Sequence, residues 1–164
     1  IDPQIAESRI DEAAAQRQRR FDHALTHVDE GTLAALHGLK ERGFKLALVS
    51  NASTGEVAAW PDSPLAGLFD ATVFSCECGW RKPEPQIYQC ALKRVGAEAA
   101  QSLFIGDGGS DEHAGARRLG LYTVLITRFL TAEVAARRRA SADQEIAGLA
   151  QLGSLLEAKG GRTD

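Results

Sequence analysis

The sequence predicts an α/β fold, a parallel sheet with helices on both faces. Three observations carry the prediction. Short apolar runs rich in β-branched and aromatic residues recur along the chain, amphipathic helical patterns lie between them, and turn residues bound both. Strand, helix, strand, helix is the order that builds a sheet of parallel strands with crossover helices.

The strands come first. "FKLALVS" (44–50), "ATVFS" (71–75), "SLFIG" (102–106) and "YTVLIT" (122–127) read as buried parallel strands. Between them, "GTLAALHGLKERG" sets Leu33, Leu36 and Lys40 on one helical stripe, with Asp29 as the cap at its start and Gly43 at its end. "PEPQIYQCALKRVG" repeats the device, with prolines near the first turn, Ile87, Ala91 and Val95 on one stripe and Gly96 at the stop. Residues 1–27 are helix-favouring and heavily charged and contain no strand pattern, so they read as an accessory helical segment ahead of an α/β core at 28–164. "RRR" at 137–139 reads as a solvated helix face.

Composition narrows the function. The 164 residues, 44% of them hydrophobic, suit one domain with a real core. Nineteen basic against 22 acidic residues give a net charge of -3, which argues against nucleic acid as the partner and for a small molecule. No long apolar run points to a membrane. Three cysteines, Cys76, Cys78 and Cys90, are too few and odd in number for a disulfide framework, and the expected compartment is the cytoplasm. "CEC" at 76–78 lacks partner ligands at zinc-like spacing and reads as small residues closing a buried strand.

In such a sheet ligands bind beyond the carboxyl ends of the strands. Ser50 and Asn51 follow the first run, "CECGWRKPEP" with Lys82 follows the second, and Asp107 and Asp111 follow the third. A hydroxyl beside an amide, a lysine and a carboxylate pair are the parts that hold a phosphoryl group next to Mg²⁺. "GDGG" is no dinucleotide loop, because GxGxxG would require glycine at 111. Ser50 lies in "LVSNAS", outside any G-x-S-x-G elbow, which excludes the common serine-hydrolase arrangement.

Taken in order, "LALVSNAS", "RKPEPQIY" and "FIGDGGSDEHAGARRLG" resemble the second, third and fourth motifs of the haloacid dehalogenase-like (HAD) hydrolases, most of them Mg²⁺-dependent phosphatases. The resemblance covers most of residues 28–157, and "ADQEIAGLAQLGSLLE" is similar to the family's usual ending, an edge strand and a last helix. It implies a Rossmann-like core in which Ser50 and Asn51 bind phosphate, Lys82 neutralises charge as a catalytic and phosphate-binding residue, and Asp107 with Asp111 holds Mg²⁺. Glu112 is the alternative to Asp111. The substrate implied is a small phosphate ester, hydrolysed through attack by an aspartate.

That aspartate belongs to the family's first motif, D-x-D, and no D-x-D occurs in the 164 residues. The nearest match, "VDEGTL" at 28–33, places Asp29 where a helix cap is expected. The resemblance therefore implies that residues 1–27 are the remnant of a cap and that the first strand lies upstream of Ile1. This chain by itself is then expected to be inactive, with no nucleophile of its own. Its first strand would lie between the strands at 44–50 and 102–106, so two unpaired edges are expected to face each other, with homodimerisation or capture of the N-terminal segment as the outcome. The alternatives are an inactive HAD-fold binding or assembly protein and, further off, a haloacid dehalogenase. Halide removal needs no metal, so the retained acidic pair favours the phosphate ester.

Overall fold

The computed structural model describes residues 7–160. In chain order the elements are α1 (Glu7–Thr26), α2 (Glu30–Glu41), β1 (Ala47–Ser50), β2 (Ala71–Phe74), α3 (Ser75–Cys78), α4 (Pro85–Val95), β3 (Leu103–Gly106), α5 (Glu112–Arg118), β4 (Tyr122–Ile126), α6 (Ala132–Arg138), β5 (Gln144–Ile146) and α7 (Leu152–Gly160). All strand pairs are parallel, and the fold is α/β as expected.

The helix limits follow from capping chemistry. Asp29 accepts hydrogen bonds from the Thr32 amide at 3.0 Å and the Thr32 hydroxyl at 2.7 Å, which fixes the start of α2. At its far end Gly43 takes a left-handed φ of 82°, and the Phe44 amide returns to the Leu39 carbonyl at 3.1 Å. This C-terminal turn consumes the first residues of the run 44–50, so β1 begins only at Ala47. "CEC" departs from expectation: it forms the helical turn α3 instead of closing a strand, and Cys76 is exposed. The chain leaves β2 at Phe74 and turns at once, with Gly79 in the left-handed region ending the turn.

Packing on the two faces of the strands is distinct. On one face Ile87, Tyr88 and Ala91 of α4 and Ala116 of α5 meet Val73 and Phe104. On the other, Leu39 of α2 and Leu152 of α7 meet Val124 and Ile146. Beyond β2, Trp60 sits edge-on to Phe74 at 5.6 Å between ring centroids. Helix α1 docks beside the same region, where Gln18 donates to the Gly55 carbonyl and Ser63 donates to the Leu25 carbonyl. The first six residues of the segment 1–27 and the last four of the core 28–164 lie outside the described residues.

The strands form two sheets, β1–β2 and β3–β4–β5. Among the described residues β1 pairs only with β2, and β3 pairs with β4 alone. Between the free edges runs a groove of about 370 Å³, walled by Ala47 and Val49 of β1, Leu103 and Ile105 of β3, Leu92 of α4 and Leu156 of α7. The expected pair of facing strand edges is therefore present, separated by an apolar groove between the two helical layers.

Candidate active site

The segments that follow β1, β2 and β3 are joined by side-chain hydrogen bonds. Ser50 is the last residue of β1, in register with Phe74 of β2. Beside it, the Asn51 side chain grips the main chain of Lys82: its Oδ1 accepts from the Lys82 amide at 2.7 Å and its Nδ2 donates to the Lys82 carbonyl at 3.0 Å. An asparagine supplies donor and acceptor together, so one side chain satisfies both backbone groups of the lysine. The Ser75 hydroxyl ties the loops after β1 and β2 through the amide and carbonyl of Ala52. A cis peptide joins Lys82 to Pro83 at the entry to α4.

Held in this way, Lys82 projects inward. Its Nζ donates to Glu112 Oε2 at 2.7 Å and lies 5.8 Å from the centroid of the Phe104 ring. The side chains are only 15% and 5% exposed, so this is a buried ion pair. Glu112 is held on every side. Its Oε1 accepts from the Gly108 amide at 2.9 Å, and its carbonyl accepts from the Tyr88 hydroxyl at 2.8 Å. A β-carbon at Gly106 would overlap Glu112 Oε1, which is why glycine ends β3.

The turn between β3 and α5 carries Asp107. Its Oδ1 accepts from the Gly109 amide at 2.8 Å. Arg138, at the end of α6, donates to the Asp107 carbonyl at 2.8 Å and lies 3.1 Å from its Oδ2. Partial burial pushes the Asp107 carboxyl up, but the Gly109 amide and the Arg138 guanidinium outweigh it and hold the group below the usual carboxylate range. Ser110 and Asp111 both take left-handed backbone conformations, with φ of 53° and 50°. Asp111 is exposed, and its side chain makes no cap to α5. The acidic residue that turns inward to Lys82 is Glu112.

Hydrogen bonds thus link Asn51, Lys82 and Glu112 to the turn that carries Asp107, while Ser50 precedes Asn51 at the end of β1 and Asp111 is exposed beside Glu112. Arg138 is the residue that sequence reasoning missed. The "RRR" run is not a uniformly solvated face, since Arg137 and Arg139 pair with Glu133 and Glu145 at the surface while Arg138 reaches the Asp107 turn. Glu112 carried a signal: it shares a buried helical stripe with Gly115 and Ala116, which marks it as the inward-facing acid.

The donor set bears on the metal. Among the described residues no three histidine, cysteine or acidic side chains cluster into a ready cage. One exposed carboxylate on a glycine-rich turn, already attracting a guanidinium, fits Mg²⁺, which takes one or two protein carboxylates and keeps several waters. A structural zinc would require four closed ligands. Among the described residues no helix is long and apolar enough to cross a membrane.

Comparison with known proteins identifies the family. The family model described as haloacid dehalogenase-like hydrolase matches residues 3–118. The chain is 36% identical over 114 residues to haloacid dehalogenase-like hydrolase domain-containing protein 3 of Bos taurus, covering 69% of this chain and 45% of that one. It is 31% identical over 111 residues to the glyceraldehyde 3-phosphate phosphatase of Methanothermobacter thermautotrophicus, covering 66% and 48%. The chain thus spans about half the length of these relatives. Among solved structures, the HAD phosphatase from Thermococcus onnurineus superposes with a TM-score of 0.72 at 28% identity, over 84% of this chain and 61% of that one. With a family match over residues 3–118 and a relative 36% identical over 69% of this chain, the chain belongs to the haloacid dehalogenase-like hydrolases.

Proposed function

We propose that these residues form the phosphate- and metal-binding half of a Mg²⁺-dependent phosphohydrolase acting in the cytoplasm on a small phosphate ester. The observation that supports the reading is a linked set of residues beyond the strand ends: Asn51, next to Ser50, grips the Lys82 main chain, Lys82 pairs with Glu112, and Glu112 bonds the turn that bears Asp107. In this reading Ser50 and the Asn51 amide bind phosphoryl oxygens. Lys82 brings positive charge to the phosphate and to the attacking group, and Asn51 and Glu112 fix its position. Asp107, with Asp111 or Glu112 beside it, holds Mg²⁺, which supplies charge neutralisation at the phosphoryl oxygens. Glu112 is the less available of the two acids, being bonded to Lys82 and Gly108.

No D-x-D occurs in the sequence, and Asp29 is engaged as a helix cap, by Thr32, and by Arg128 at 3.2 Å. The attacking carboxylate is accordingly assigned to a strand outside these 164 residues, seated parallel between β1 and β3 with its carboxyl end beside Lys82. There it would attack phosphorus, expel the alcohol and form an acyl phosphate, which water then opens to release phosphate and regenerate the carboxylate. Residues 1–27 belong, in the same reading, to the end of a cap that covers this site. The acidic turn at Asp107 favours this chemistry over halide removal, for which a metal is not required.

An assay with Mg²⁺ and para-nitrophenyl phosphate tests the reading. The 164-residue chain alone is expected to show no turnover, and co-expression with an apolar strand ending in D-x-D is expected to restore it. Turnover by the chain alone that disappears in Asp29→Asn would refute the assignment.

A further inference from the structure

Arg138 has no part in the reaction just described, yet it is built against the residue that would hold the metal. Its stem packs on Gly108, where a β-carbon would come within 3.1 Å of Arg138 Cδ. Its guanidinium touches both the carbonyl and Oδ2 of Asp107. The main chain behind it is anchored too. The Ser141 hydroxyl donates to the Arg138 carbonyl at 2.7 Å, and Ser141 lies 2.9 Å from Nδ1 of His113, a fully buried residue adjacent to Glu112.

We propose that Arg138 is a displaceable counter-cation, which occupies Asp107 Oδ2 until Mg²⁺ takes its place. The proposal rests on the metal site assigned above. Two cations cannot share one carboxylate oxygen without strong repulsion, so metal and guanidinium compete for Oδ2. Arginine does not lose its proton in proteins, so Arg138 gives way to a competing cation and not to a change of pH. The pair satisfies Asp107 in the metal-free protein, and the site binds Mg²⁺ less tightly as a result.

The test is calorimetric titration of MgCl₂ at constant ionic strength, with amide shifts of residues 106–112 followed by NMR. Arg138→Gln keeps the stem and removes the charge, while Arg138→Lys keeps the charge. The Gln variant is expected to bind Mg²⁺ about fivefold more tightly, the scale of a partly exposed ion pair, and the Lys variant to stay near the parent. An unchanged or lower affinity in the Gln variant overturns the latch and leaves the metal site standing. Absence of Mg²⁺-dependent shifts at 106–112 in all three proteins overturns the metal site, and the latch with it. If the Gln variant does not fold, the Arg138 Nε–Hε resonance of the parent decides. Its movement at the midpoint seen for the Asp107 amide supports displacement, and a stationary signal refutes it.

Discussion

Two cation–carboxylate pairs lie beyond the strand ends, and they are built differently. Lys82 and Glu112 meet at 2.7 Å with 15% and 5% of their side chains exposed, and each has further partners that leave no second arrangement. Arg138 and Asp107 meet at 3.1 Å with 32% and 56% exposed. In the first pair, burial makes the loss of either partner costly, because the remaining charge has no water to turn to. In the second, solvent stands ready to replace either partner. The first pair is fixed by burial, and the second stands open to solvent.

The largest expected effect breaks the buried pair. Lys82→Met leaves Glu112 ionised and uncompensated, and should lower stability by about 3 kcal/mol in urea unfolding. Lys82→Met combined with Glu112→Gln should recover much of that loss, since no buried charge then remains. A loss below about 1 kcal/mol in the single variant would mean that water reaches Glu112 and that the contrast between the pairs is false.

Next in size is the glycine on which the buried pair depends. Gly106→Ala places a methyl group on Glu112 Oε1 and within 2.7 Å of its Cδ, so either the Lys82 bond or the Gly108 bond must give way. The expected cost is about 2 kcal/mol, with a shifted Lys82 Nζ signal by NMR.

A third pair, remote from the site, falls between the two, with 33% of the Lys40 side chain and 20% of Asp70 exposed. The Lys40 hydrogen bond, with the Leu46 amide and the nearby Lys45, pulls Asp70 down to about 2. A carboxyl depressed in the folded state contributes stability that is fully present above about pH 4 and is lost as pH falls towards 2. Screening at the surface limits the effect, so Asp70→Asn is expected to cost about 1 kcal/mol at pH 7 and almost nothing at pH 2. Parallel stability curves for parent and variant across that range would show that the pair contributes nothing.

Arg138→Gln should be the mildest, at about 0.5 kcal/mol in the absence of Mg²⁺. A loss equal to that of Lys82→Met would place both pairs in the same class.

The strands and helix ends were legible because local chemistry decides them. Asp29, Gly43 and Gly96 cap helices through their own side chain or their own φ, whatever lies further away. The three motif segments were legible for a related reason: each directly follows a strand, and a parallel sheet brings all such positions to one edge. "CEC" was misread because nothing in the pattern distinguishes the last residues of an apolar run from the first turn after it. Which of the two acids, Asp111 or Glu112, faces Lys82 required the backbone, since two consecutive left-handed residues, Ser110 and Asp111, precede the helix on which Glu112 turns inward. Arg138 was beyond reach. It lies 31 residues from Asp107 in the chain, and only the return of α6 over the β3 turn brings the two together.

The position of the aromatic residues gives the divided sheet a spectroscopic signature. Both tryptophans of the chain, Trp60 against Phe74 and Trp80 just after α3, belong to the side of the groove formed by β1 and β2. Indole emission therefore reports on the two-stranded side alone, while β3, β4 and β5 unfold without an indole witness. A denaturation curve read by tryptophan and another read by circular dichroism will coincide only if the groove transmits cooperativity from one side to the other. Any separation between the curves measures how far the two halves behave as independent folding units, and a strand seated between them should bring the curves back together.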